Sequence, residues 1–139
     1  MNTDQILESL ASFSLFADLS RPELQAISHT FEEESFAEGQ RIIRQGFGGT
    51  GFYLIPQGEA AVVIDGTERT RLGRGDFFGE ISILLNEPPS ADVVSLSPLT
   101  CIVLPRDELE PWLRSKPSVM LRMLHAEVRR LRVAGQWRS

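Results

Sequence analysis

The residues of this chain best suited to chemistry lie between Gly75 and Val94, in the run Gly-Asp-Phe-Phe-Gly-Glu-Ile-Ser-Ile-Leu-Leu-Asn-Glu-Pro-Pro-Ser-Ala-Asp-Val-Val. Glycines and an acidic residue lead into a short apolar segment that breaks at Pro88-Pro89. That order predicts a loop, one or two turns of helix, a second loop and a strand starting near Ala91. A tight glycine turn feeding a helix N-terminus is a natural anion site. The unpaired N–H groups of the first turn and the positive end of the helix dipole converge there. On spacing alone the same residues also describe a plain turn between two strands, and the rest of the chain must decide.

Other reactive side chains are few. Cys101 is the single cysteine, so no intrachain disulfide forms, and its neighbours Leu99, Thr100, Ile102 and Val103 mark it as a buried thiol rather than a nucleophile. The two histidines, His29 and His125, fall on predicted flanking helices, where a structural role is expected and a metal-ligating one is not. A phosphate-binding loop, a nucleophile elbow and a kinase signature are all missing, so an enzyme is not expected.

The 139 residues suffice for one domain with a real core, spanning residues 1–139. Composition is that of a soluble globular protein, 42% hydrophobic and 24% charged. No apolar run approaches the roughly 20 residues of a membrane span, and the N-terminus lacks the pattern of a signal peptide. A cytoplasmic location follows as the expectation. Net charge is −5 but uneven: Met1–Pro105 carries six basic and fifteen acidic residues, whereas Arg106–Ser139 carries eight basic and four acidic. The basic tail reads as a solvated helix face or a complement to the acidic body. A nucleic-acid footprint would be denser and more one-sided.

The elements that must position the glycine-led stretch can be read in order. Gln5–Leu10 predicts a helical turn, and Phe13, Leu15, Phe16 and Leu19 a loop too apolar to float free. Ser20-Arg-Pro-Glu23 is a helix start, with Ser20 as N-cap, Pro22 in the first turn and Glu23 closing a capping box. From about residue 31 to 104 the periodicity changes to short β-prone runs: Phe36, Ile42–Ile43, Phe52–Ile55, Ala60–Ile64, Arg69–Leu72, Val93–Leu96 and Cys101–Leu104. Turn signals separate them, Asp65-Gly66 the strongest as a tight hairpin. Many short strands at such spacing describe an antiparallel sandwich or barrel. Helix returns over about residues 107–133, in a segment from Asp107 that Pro111 crowds and Pro117 ends, then a helix from about Ser118 to Val133. On the latter, Leu121, Leu124, Val128 and Leu131 form a narrow stripe at spacings of 3, 4 and 3. That stripe fits packing onto its own domain or onto a partner helix, and Arg122, Arg129, Arg130 and Arg132 read as the other face.

Three motifs in order, Ile42-Ile-Arg-Gln-Gly46 with Gly49, then Phe52-Tyr53-x-Ile55-x-x-Gly58-Glu59, then Gly75-Asp-Phe-Phe-Gly-Glu80-Ile-Ser-x-Leu-Leu, resemble the cyclic nucleotide-binding domain family. This family supplies the sensor module of catabolite activator proteins, protein kinase A regulatory subunits and cyclic-nucleotide-gated channels. The likeness covers roughly Phe13 to Arg132. It implies a mainly β fold, a jelly-roll-like β-roll (double-stranded β-helix) with an N-terminal helix and closing C-terminal helices. It implies that the opening stretch is a phosphate-binding cassette for cyclic AMP or cyclic GMP. In it Gly79 lets the backbone approach the ligand, Glu80 accepts from the ribose 2′-hydroxyl, and the N–H groups of Ile81 and Ser82 face the cyclic phosphate. The family pattern then runs Pro-Arg-(Ser/Thr/Ala)-Ala, whereas this chain has Pro88-Pro89-Ser90-Ala91. Proline stands where the phosphate-holding arginine belongs. Ser90 and Ala91 keep the small positions, and Arg41, Arg44, Arg71 or Arg74 could substitute only by reaching into the roll.

The expected function is therefore a non-enzymatic regulatory sensor that binds a cyclic nucleotide weakly, or binds another small ligand. The alternative from these residues is a degenerate domain that binds no nucleotide and serves in protein interaction or dimerisation through Leu121, Leu124, Val128 and Leu131. A sensor fragment of a transcriptional regulator is a further alternative, although the chain ends at Ser139 without a DNA-reading helix. No cofactor or metal is expected.

Overall fold

Short strands with two buried faces build the centre of the molecule, in a computed structural model that describes residues 1–48 and 51–135. Gly49 of the expected motif and the tail from Gln136 to Ser139 lie outside the described residues. The strands are β1 (Glu32–Phe36), β2 (Arg41–Ile43), β3 (Gly51–Gln57), β4 (Ala60–Ile64), β5 (Thr67–Leu72), β6 (Phe77–Phe78), β7 (Asp92–Ser95) and β8 (Leu99–Pro105). They form two four-stranded antiparallel sheets, in orders β1-β8-β3-β6 and β2-β7-β4-β5. The helices are α1 (Thr3–Ala11), α2 (Arg21–Ser28), α3 (Glu80–Leu85), α4 (Arg106–Ser115) and α5 (Pro117–Val133), with a 3₁₀ turn at Ser14–Phe16. The expected β-roll with an N-terminal helix and closing helices is the fold observed.

Side-chain alternation explains why β3 and β8 read as continuous apolar runs. Successive residues point to opposite faces. Tyr53, Ile55, Leu99, Cys101 and Val103 join Ile43, Ala60, Leu72 and Val93 in one buried cluster. Phe52, Leu54, Ile102 and Leu104 join the helices in a second, with Leu10, Phe16, Leu109, Trp112, Val119 and Met123. The roll is thus covered by helices on the outer face of one sheet. The loop residues Phe13, Leu15 and Phe16 are buried there as expected, and Phe16 and Phe31 meet Trp112 at ring-centre distances of 5.4 and 6.1 Å.

Two local expectations hold in detail. Ser20 Oγ accepts from the Glu23 N–H while Glu23 Oε1 accepts from the Ser20 N–H, the reciprocal capping box. Asp65 and Gly66 both have positive φ, 51° and 79°, as a two-residue hairpin between β4 and β5 requires. One expectation needs correction. Phe77-Phe78, read as loop, is strand β6, with Phe77 in the helix-side cluster and Phe78 in the roll. Pro111 sits inside α4, which stops at Ser115, and Pro117 opens α5, where its missing N–H costs nothing.

Candidate functional site

The glycine-led stretch folds as a turn, the two residues of β6, a left-handed residue and one and a half turns of helix. Gly79 caps α3 at φ 93°, and a Cβ there would lie 2.4 Å from the Gly51 carbonyl oxygen. Its requirement is therefore structural before any ligand is considered: the backbone of β3 occupies the space a side chain needs. Tyr53 stacks on Phe78 beneath it, with ring centres 4.8 Å apart.

Glu80, the first residue of α3, is only 2% exposed. Its partner comes from a place sequence reasoning assigned to solvent. Arg130, on α5, donates from Nη1 to Glu80 Oε2 and to Glu127 Oε1, each at 3.2 Å. Its Nη2 donates to the Phe77 carbonyl at 2.6 Å, and the guanidinium carbon lies 4.3 Å from the centre of the Phe77 ring. One arginine thereby clamps the cassette at its strand and at its helix. Burial, then the neighbouring Glu127 carboxylate, push the Glu80 carboxyl up to about 8 against the opposing pull of Arg130. Arg130 thus does not belong on a solvated basic face. The signal was available in the sequence: Val119, Met123, Ala126 and Arg130 recur at spacings of 4, 3 and 4, and the first two are buried while Ala126 packs against them.

Other cassette positions are spread in environment. Ser82 is buried with its Oγ 3.5 Å from the Gly79 carbonyl, while Ile81 is half exposed. Arg106, at the start of α4, donates to the Ser82 carbonyl at 3.2 Å, a contact that no motif announced. Pro89 is buried and its carbonyl accepts from the Gly46 N–H at 2.8 Å, whereas Ser90 is exposed and Ala91 half-buried. Of the arginines that might replace the missing charge, Arg41 lies 3.6 Å from Asp92, just past Ala91. Arg44 lies over Phe47, Arg71 pairs with Glu68, and Arg74 is exposed. Among the described residues, the guanidiniums that hydrogen-bond to β6 and α3 are Arg106 and Arg130.

The remaining candidates fall elsewhere. Cys101 is fully buried, and burial, then Glu34, push its thiol up to about 12, which keeps it unreactive. His29 and His125 are exposed. On α5, Leu121, Leu124, Val128 and Leu131 are 53%, 56%, 41% and 43% exposed, so the stripe does not pack onto its own domain. Beside it an apolar groove of about 380 Å³ opens between α3, α4 and α5, lined by Leu84, Leu113, Met120, Met123 and Leu124.

The family model for the cyclic nucleotide-binding domain matches residues 33–116, more than half of the chain. The chain belongs to the cyclic nucleotide-binding domain family. It is 33% identical over 118 residues to a cGMP-dependent protein kinase of Eimeria tenella, an alignment covering 85% of this chain and 12% of the kinase. The chain thus spans about one-eighth of the length of the curated relatives it matches. Among solved structures it resembles the catabolite activator protein of Thermus thermophilus, at 29% identity and a TM-score of 0.75, over 88% of this chain and 60% of that one. It also resembles a mutant regulatory subunit of a cAMP-independent protein kinase A from Trypanosoma brucei, bound to cAMP, at 26% identity and a TM-score of 0.78. That match covers 87% of this chain and 46% of the other, and one of the three substitutions in the mutant replaces threonine by arginine. The structural likeness extends across the β-roll and its flanking helices, whereas the matched family model stops at Lys116, before α5. No helix among the described residues is long and apolar enough to cross a membrane.

Proposed function

We propose that this chain is a non-enzymatic regulatory module whose cassette senses a cyclic nucleotide, cyclic AMP or cyclic GMP, with an affinity weakened by Pro89. The observation that carries this reading is the Arg130–Glu80 contact. The carboxylate that would accept from a ribose hydroxyl is also the anchor of α5. A hydroxyl donating to Glu80 competes with Arg130, so ligand occupancy and the seat of α5 share one group. The ligand's differential contact with the two arrangements is what biases the helix. Gly79, Ile81 and Ser82 supply the backbone around the phosphate, and Ser90 and Ala91 the small positions beside it.

Pro89 sets the strength. Arginine is a forked, permanently charged donor matched to phosphate, and proline offers neither charge nor N–H. Loss of one partner of a desolvated charge pair costs about 2–5 kcal/mol, or roughly 30- to several-thousand-fold in affinity. Arg41, tied to Asp92, leaves that deficit in place. The Trypanosoma brucei mutant that gained an arginine and holds cAMP supports the corresponding experiment here. Calorimetry with cyclic AMP and cyclic GMP is expected to show sub-millimolar or weaker binding for the native chain and a gain of at least about 30-fold for Pro89→Arg. Micromolar binding by the native chain would remove the arginine argument. Silence from both proteins would remove the sensor.

A second reading is favoured by the exposed stripe on α5, which suits dimerisation or a partner helix whether or not the cassette is occupied. Nucleotide binding separates it from the first.

A further inference from the structure

Two carboxyl groups and one guanidinium meet where α5 crosses the start of α3. Glu80 is buried, the side chains of Glu127 and Arg130 are 27% and 34% exposed, and Arg130 Nη1 lies 3.2 Å from an oxygen of each acid. Both carboxyls converge on that one nitrogen, which brings the two acids beside each other. Two carboxylates have only acceptors, so a hydrogen bond between them requires one to carry a proton. With both ionised, the cluster would bury an uncompensated negative charge, because Arg130 supplies one positive charge and its Nη2 is spent on the Phe77 carbonyl.

We propose that Glu80 and Glu127 share one proton while α5 is seated, so that seating of the helix on the cassette is proton-linked and Glu127 sets the pH at which Glu80 becomes a free acceptor. The inference rests on the reading of Glu80 as the ligand's ribose contact, and it names the regulation of that same site.

The groups around the pair leave this assignment intact. Arg106 on α4 is aimed at the Ser82 carbonyl. Asp76, before β6, accepts from the Gly73 N–H. His125, two residues before Glu127, is exposed and lines a separate cavity of about 130 Å³ with Ser14, Arg122 and Arg129. The raised position of the Glu80 carboxyl, near 8, agrees with the geometry. Its sign follows directly. With α5 seated, Glu80 titrates above the ordinary carboxylate range, so the seated state holds more protons than the open one. Its advantage is complete below about pH 4.5 and is lost as pH rises through about 8. Above about pH 8 an ionised Glu80 is the stronger, charged acceptor for a ribose hydroxyl, so a ligand that uses Glu80 binds more tightly as the pH rises.

The test uses the full chain without ligand, its glutamates carrying carbon-13 at the carboxyl, followed by nuclear magnetic resonance across pH 3–10. One resonance, identified by its loss in Glu80→Gln, is expected to titrate near 8, and the backbone amides of Glu127–Val133 should move with the same midpoint. In Glu127→Gln, which keeps shape and hydrogen-bonding capacity, the midpoint should fall by about one pH unit or more. A Glu80 that titrates with the other acids, a midpoint indifferent to Glu127→Gln, or α5 amides that stay still through the transition would each overturn the proposal. Calorimetry of Pro89→Arg is independent: no nucleotide binding there, with a titrating Glu80 here, would sink the ribose reading and leave the proton pair standing.

Discussion

Gly79 and Glu80 are adjacent, and they divide what the cassette needs. Gly79 is left-handed and pressed against the Gly51 carbonyl, so Gly79→Ala combines a disfavoured φ with a contact that backbone must yield to. The expected loss is about 2–5 kcal/mol, from roughly 1–2 for the left-handed residue and 1–3 for overpacking. Urea unfolding measures it, and an unchanged midpoint would show that β3 moves aside freely. Glu80 stood out in the sequence as a candidate because its motif neighbours surround it in the chain. Arg130 was not, because fifty residues separate it from Glu80 and no motif spans the gap. The useful signal was register: an arginine in line with Val119, Met123 and Ala126 lies on the face that meets the body and is placed to find an acid there. Pro89 was equally legible, and the structure adds that its buried carbonyl is held by Gly46. An arginine placed there would therefore start from a backbone already fixed.

At the scale of elements, helix ends were the most readable features, and they carry a pH consequence. Glu23 closes the capping box of α2 and also accepts from Lys116 Nζ at 2.8 Å, which ties α2 to the residue before α5. The Lys116 hydrogen bond, then the Ser20 N–H and hydroxyl, lower the Glu23 carboxyl to about 2. A depressed acid contributes stability that is present above its ordinary range and is lost as pH falls through about 2. The Glu23 carboxyl resonance is expected to titrate near 2 in the native chain and to move upward in Lys116→Met; a value unmoved by that change would place the cause at Ser20 alone. Strand boundaries were legible wherever a glycine or proline turn signal stood beside them. Strand β6 escaped because it is only two residues long, and its pairing with Tyr53 and Leu54 of β3 is what makes it strand. Pro111 crowds α4 without stopping it, for an energetic reason. A proline inside a helix costs about 3 kcal/mol, but Leu109, Trp112 and Leu113 are buried on α4, each worth about 1.5–3 kcal/mol. Packing outweighs the lost hydrogen bond, and the helix continues.

Across the whole molecule, α5 presents different chemistry on opposite sides. At 100° per residue, Val119, Met123, Ala126 and Arg130 share one face, and Leu121, Leu124, Val128 and Leu131 lie roughly opposite. The first face is seated on the body, and the second is bare. Both can therefore be satisfied together: α5 can hold the cassette and pair with a second α5. In a parallel pair the leucine stripe supplies the seam. A four-residue seam is short, so the association is expected to be concentration-dependent rather than permanent. Sedimentation velocity of the native chain at rising concentration should show a dimer that Leu124→Glu and Leu131→Glu each abolish, because either change buries a charge in the seam. Each variant should keep native circular dichroism, since neither side chain touches the core. A mass unchanged by both substitutions would remove α5 as the interface, and a native chain monomeric at every concentration would leave the stripe to a different partner.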